Sequence, residues 1–165
     1  MENRSSNEKY LGLVFPVPSA LHTIGLGGLV VGVLDAIAAS VNAAIRGTSP
    51  VRVWQYVASS LVGPDSFNQG STTVLVGLLI HFGIAFGVAT GFYLLVRLVP
   101  VVIRYAVIVG MLYGVAVYFA MSYLIVPMTL VKQGAFNWYG LISGLIIHVL
   151  FVGLPVALIA RRFAK

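Results

Sequence analysis

Residues 72–99 read TTVLVGLLIHFGIAFGVATGFYLLVRLV. From Asp65 to Arg97 no Asp, Glu, Lys or Arg interrupts the chain. At 1.5 Å per residue such a run crosses a hydrocarbon layer of about 30 Å as an α-helix. Helix is also the form that satisfies every backbone N–H and C=O within a single segment in lipid. Ser71-Thr72-Thr73 opens the run, and Pro100 ends it because the residue before a proline is pushed out of helical geometry.

Three other segments follow the same pattern. One covers about 20–46: Pro16 and Pro18 stiffen its approach, Ser19 offers a cap and Gly47-Thr48-Ser49 ends it. Another covers about 101–126 and stops at Pro127, and the last covers about 138–160, before Arg161, Arg162 and Lys165. The composition agrees. Of 165 residues, 59% are hydrophobic and 8% charged, with mean hydropathy +1.01, against about 25% charged in a soluble domain. The expected fold is therefore all-α: one transmembrane domain, 1–165, built as a four-transmembrane-helix bundle in a lipid bilayer. With no Cys, disulfides and thiolate chemistry are excluded.

Ser49-Pro50 reads as a helix start and Gly63-Pro64 as a stop, so a short helix is expected at about 50–62. Val51, Trp54, Val57, Ala58 and Leu61 recur at helical spacing among Arg52, Gln55 and Ser59. That predicts an amphipathic helix in the membrane interface, anchored by Trp54 and Tyr56. Lys132, Asn137, Trp138 and Tyr139 make a comparable aromatic belt in the connection before the fourth span.

Ten Lys+Arg against four Asp+Glu give +6 and a pI near 9.9. In this composition the basic residues mark topology, and no nucleic-acid partner is expected. Arg4, Lys9, Arg97, Arg104, Arg161, Arg162 and Lys165 fall on one side, Arg46, Arg52 and Lys132 on the other. The bias predicts a multi-pass protein of the bacterial inner membrane with both termini cytoplasmic. Residues 1–10 are polar and lack the apolar core of a signal peptide, so cleavage before the first span is not expected.

Small residues recur every four positions at Gly28/Gly32, Gly83/Gly87/Gly91, Gly110/Gly114 and Gly140/Gly144. Close backbone approach and dispersion drive helices together in lipid, and glycine permits both. In the second span the glycines lie roughly 80–160° from His81 around the helix. One face would then pack inside the bundle and the other against a second copy, which is the expectation of a homo-oligomer.

Polar residues inside the spans share one depth. Asp35, His81, Tyr118 and His148 each lie roughly 12–16 Å from the edge opposite the termini, near the midplane. Asp35 continues the stripe Gly28, Gly32, Ala39, Asn42, Arg46; Tyr118 continues Gly110 and Gly114; His148 continues Gly140 and Gly144. Glycine faces point inward, so the four polar residues are expected as a buried cluster. An unpaired Asp at the bilayer centre costs about 2.5–3.5 kcal/mol on insertion scales, so it needs a partner, and histidine suits.

Three readings of that cluster stand side by side. It is a hydrogen-bonded layer that specifies packing in a structural protein or an accessory of a larger membrane complex. Alternatively it is a proton or ion site of a proton-coupled channel or transporter, with Asn42 and Arg46 lining the approach; Pro155 then frees the carbonyl of Phe151, one turn from His148. In the third, His81 and His148 ligate one haem b between parallel spans. No other cofactor is expected. No acid pair, Ser-His-Asp order, phosphate loop or HExxH spacing is present, so neither a hydrolase nor a transferase is expected, nor a metal site. His22 is expected at the interface.

From His81-Phe82 through Leu98-Val99-Pro100, Tyr113-Gly114, Met121-Ser122-Tyr123 and Pro127 to Gly144, His148 and Arg161-Arg162, the chain resembles the small bacterial inner-membrane proteins of the YagU family. It departs from them in having no long outer loop before the second span. The resemblance implies a polytopic inner-membrane fold and a link to acid tolerance, and leaves the biochemical activity open.

Overall fold

The computed structural model describes residues 17–164. The polar tail 1–10, Pro16 and Lys165 lie outside the described residues. Four helices are long and apolar enough to cross a membrane: α1 Leu21–Ile45, α3 Ser71–Leu98, α4 Pro100–Met128 and α5 Trp138–Arg162. The shorter α2, Pro50–Val62, lies between α1 and α3. The chain is an all-α, four-helix membrane bundle, and each span ends within about two residues of its sequence-based boundary.

The punctuation is local chemistry. Gly47 (φ +72°) and Gly63 (φ +74°) take left-handed backbone that ends α1 and α2. Pro50 fills the first position of α2, where no N–H is needed. Pro127 and Pro155 lack the N–H that a carbonyl four residues earlier requires. Upstream of each, the helix widens to π geometry, over Ala120–Ile125 and His148–Gly153, so the wide turn ends two residues before the proline. Ser19 does not cap α1. Its hydroxyl instead hydrogen-bonds the Nδ1 of His22 at 2.9 Å, and that imidazole stacks on Phe163 at 4.0 Å.

The Ser19 N–H also donates to the Phe163 carbonyl (3.3 Å), so both ends of the described chain meet at one end of the bundle. At the opposite, loop end, the Leu130 N–H donates to the Ser60 carbonyl (3.2 Å), tying the α4–α5 connection to α2.

The two halves of the bundle differ. The buried core, including Phe92, Val96, Ile103, Val152 and Val156, occupies the terminal half and holds no charged side chain. Leu29, Val33, Ile37 and Val41 point outward from α1, opposite the stripe of Gly28, Gly32 and Asp35. Apolar side chains gain nothing by leaving lipid, so the small and polar face turns inward.

Glycine packing divides by helix. A Cβ on Gly32 would stand 2.6 Å from the Phe82 ring, and one on Gly110 would stand 2.8 Å from the Gly153 carbonyl. The stripes on α1 and α4 are thus contacts with α3 and α5. Among the described residues no other part of the chain lies within 4 Å of a Cβ placed on Gly83 or Gly87, whereas Gly91 meets the Tyr113 hydroxyl and belongs to the α3–α4 contact instead of the outward face. The atoms nearest a Cβ on Gly140 belong to its own N-cap residue Asn137, whose side chain accepts the Gly140 N–H.

The expected anchoring of α2 is corrected. Trp54 is 8% exposed, and its backbone carbonyl sits against Gly77 of α3. The inward face is Trp54, Gln55, Ala58 and Ser59, while Val51 and Leu61 are 49% and 68% exposed. The apolar stripe thus splits, with Trp54 and Ala58 packed inward and Val51 and Leu61 facing out as an interfacial helix would place them. The polar Gln55 and Ser59 on the inward face find partners at the carbonyls of Gly70 (3.4 Å) and Tyr56 (2.6 Å).

Candidate functional site

The loop half of the bundle is hollow. Between α1, α2 and α5 lies a vestibule of about 680 Å³, whose mouth carries Arg46, Thr48 and Arg52 and whose floor carries Asp35 and His148. Asn42 lies on its wall. An inner cavity of about 290 Å³ begins where the vestibule ends, because Asp35, Tyr56 and His148 line both. His81 of α3 and Met121 and Ser122 of α4 complete that inner wall. Below Val88 and Val152 the chain closes into the packed core.

Asp35 is one helical turn beyond Gly32 on the α1 face that meets α3. His81 donates its Nε2–H to the Gly32 carbonyl at 2.9 Å, since a carbonyl only accepts. The other nitrogen, Nδ1, faces the Asp35 carboxylate at 3.9 Å. That is ion-pair reach and too long for a direct hydrogen bond. The imidazole is wedged edge-on by Trp54 (5.3 Å between centroids) and Phe82 (5.5 Å), which fix its plane.

His148 opens the π turn of α5. Its Nδ1–H donates to the Gly144 carbonyl at 2.9 Å, leaving Nε2 as a bare acceptor. Tyr118, 8% exposed, stands edge-on against the His148 ring at 5.4 Å, and its own ring is seated over Gly144. The four expected residues therefore form two pairs, Asp35–His81 and Tyr118–His148. The inner cavity joins Asp35, His81 and His148. Tyr118 lines a third, outer cavity of about 570 Å³, which meets the vestibule at Arg46 and Tyr56, and supports His148 from behind.

Asn42 and Arg46 lie on the vestibule as expected, held by a residue the spacing did not reveal. The Tyr139 hydroxyl donates to Asn42 Oδ1 at 2.8 Å, and the Arg46 guanidinium covers the Tyr139 ring at 5.5 Å. This bridge joins α1 to α5 across 97 positions of sequence. Tyr56, read as an interfacial anchor, lines the vestibule and both neighbouring cavities; burial pushes its phenol above the usual tyrosine range, so it remains a neutral donor. Arg52 was legible as an interfacial charge but not as a cavity residue.

Chemically the arrangement offers one carboxylate and two imidazoles along a largely apolar cavity that ends against the packed core. Among the described residues no group of three His, Cys, Asp or Glu side chains gathers for a metal. A haem would need a free lone pair on each axial histidine. The Nε2 of His81 carries the hydrogen shared with Gly32 and its Nδ1 faces Asp35, so this imidazole does not fit as an axial ligand. Compared with known proteins, the chain matches no family model, no curated relative and no solved structure.

Proposed function

We propose that the chain is a proton-coupled transporter of the bacterial inner membrane, in which Asp35 takes up the proton and His148 and His81 relay it. The observation that carries this reading is the shared wall: Asp35 and His148 border both the vestibule and the inner cavity, and the terminal half beyond is packed shut. Intramembrane ionisable residues that face a cavity are costly and mark ion paths. A path open at one end only favours a carrier that alternates its access over a continuously open channel. His148 is suited to relay because its Nε2 is an unspent acceptor, and the π turn it opens is a geometry frequent at functional sites.

Arg97, Arg104, Arg161 and Arg162 at the terminal end, against Arg46, Arg52 and Lys132 at the loop end, support cytoplasmic termini and a vestibule opening to the periplasm. The architecture implied by the YagU-like second half agrees with that location. A second copy packing on the open face of Gly83 and Gly87 is the form of homo-oligomer these glycines support.

One observation favours a structural or accessory role instead: the His81–Gly32 bond pins α1 to α3 and satisfies a side chain without any chemistry. Proton uptake into liposomes under an imposed pH gradient separates the two readings. Wild type is expected to conduct and Asp35→Asn to lose most of the flux while keeping its helical content. Equal flux in both proteins, with Asp35→Asn merely less stable, would establish the structural reading. A purified protein with a Soret band would revive haem binding.

A further inference from the structure

We propose that the mouth of the vestibule is an oxyanion site in which Arg46, Arg52, Asn42 and Thr48 hold a phosphate group.

The two guanidiniums are held by their flat faces: Arg46 lies over Tyr139 at 5.5 Å and Arg52 over Phe67 at 5.4 Å. Stacking of this kind leaves the N–H edges of the fork unspent. Among the described residues neither arginine makes an ion pair within 4.0 Å, Asp65 included, although Asp65 is two residues from Phe67. Two uncompensated cations thus share one cavity wall. Asn42 adds to this polarity. Its Oδ1 accepts from the Tyr139 hydroxyl, and its Nδ2 hydrogens remain as donors on a residue that lines the cavity. Thr48 contributes a hydroxyl from the turn that leads into the N-terminus of α2, whose exposed dipole end is also positive. The mouth therefore presents donors and positive charge. The carboxylate of the vestibule, Asp35, lies eleven residues from Arg46 along α1, about 16 Å deeper.

Tetrahedral phosphate accepts several N–H bonds at once and pairs bidentately with guanidinium, which makes it the fitting ligand for two forks and two further donors. At the end of the spans this level is that of lipid headgroups, so the same chemistry has two sources: dissolved phosphate entering the vestibule, or the phosphate of an anionic lipid reaching in from the side. The site stands independently of proton transfer, because it asks only for binding at the mouth.

The test is thermal unfolding of the full chain in phosphatidylcholine nanodiscs during titration with inorganic phosphate, with chloride holding the ionic strength fixed. A second arm omits phosphate and replaces part of the phosphatidylcholine with phosphatidylglycerol. Saturable stabilisation by phosphate is expected, with Kd raised about tenfold in Arg46→Gln and in Arg52→Gln and unchanged in Arg97→Gln at the other end of the bundle. Stabilisation seen only with phosphatidylglycerol, and lost in the same two variants, would support the site and assign its source to lipid. Both arginines are exposed, so their truncation leaves the packing in place. Stabilisation absent from both arms, or present and undiminished in both Arg46→Gln and Arg52→Gln, would overturn the proposal, whatever the flux measurement gives for Asp35→Asn.

Discussion

His81 spans two helices: its Nε2–H reaches the backbone carbonyl of Gly32 at 2.9 Å, although 49 residues separate them in the chain. The contact is made possible by Gly32 itself, which lets the Phe82 ring and the body of α3 come against α1. It also sets which nitrogen of the imidazole turns to Asp35. A hydrogen bond that holds two spans together thus also orients an ionisable pair.

Replacing His81 by alanine removes that bond and leaves the Asp35 carboxylate facing an apolar gap. Membrane hydrogen bonds of this kind contribute roughly 0.5–2 kcal/mol, so His81→Ala should lower unfolding stability by about that amount. His81→Gln, which keeps a donor, should recover part of the loss. Unfolding in mixed micelles measures both, and a His81→Ala protein as stable as wild type would show the bond to be energetically idle.

Close approach at Gly77 is predicted to be intolerant of a methyl group. The carbonyl facing it belongs to the backbone of Trp54 and cannot rotate away. Gly77→Ala should cost about 1–3 kcal/mol by overpacking, or detach α2 from α3. Gly83→Ala and Gly87→Ala point into open space and should be neutral, or stabilising by up to about 1 kcal/mol through helix propensity. If these two instead shift the crosslinking pattern in membranes from dimer to monomer, the outward face is an interface between copies.

The absence of cysteine makes accessibility measurable with single introduced thiols. Ala39→Cys and Ala43→Cys line the vestibule and should react with a membrane-impermeant maleimide added on the loop side. Ala89→Cys and Ala157→Cys lie in the terminal half at 0% exposure and should resist it. Labelling of Ala89→Cys at the rate of Ala43→Cys would mean that the path is continuous through the bundle.

The Tyr139–Asn42 bond closes α1 against α5 at the loop end. Tyr139→Phe and Asn42→Ala should each cost roughly 0.5–1.5 kcal/mol, and the double variant should cost little more than either alone. Additive losses in that double-mutant cycle would show that the two side chains act separately.

Much of the site was legible because depth in a membrane helix is simple arithmetic. Asp35, His81 and His148 could be assigned to one level from residue counts alone, and all three line the inner cavity. Arg52 and Tyr139 were not recognised as parts of the site, since nothing in local spacing says which side chain across 97 residues will meet Asn42. The burial of Trp54 was not legible for a related reason: helical spacing gives α2 an apolar face, but not which of its side chains the close approach at Gly77 will cover.

Four spans, their ends at Gly47, Pro100 and Pro127, and an acid alone at mid-depth follow from composition and spacing, because bilayer thickness and backbone hydrogen bonding leave a chain of this hydropathy few alternatives. What only the tertiary structure decided is where the helices fail to touch. Cavities arise from the difference between a terminal half filled by Phe92, Val96 and Val156 and a loop half held apart by α2 and the Tyr139 bridge. That difference depends on contacts between residues distant in the chain, and no local pattern encodes it.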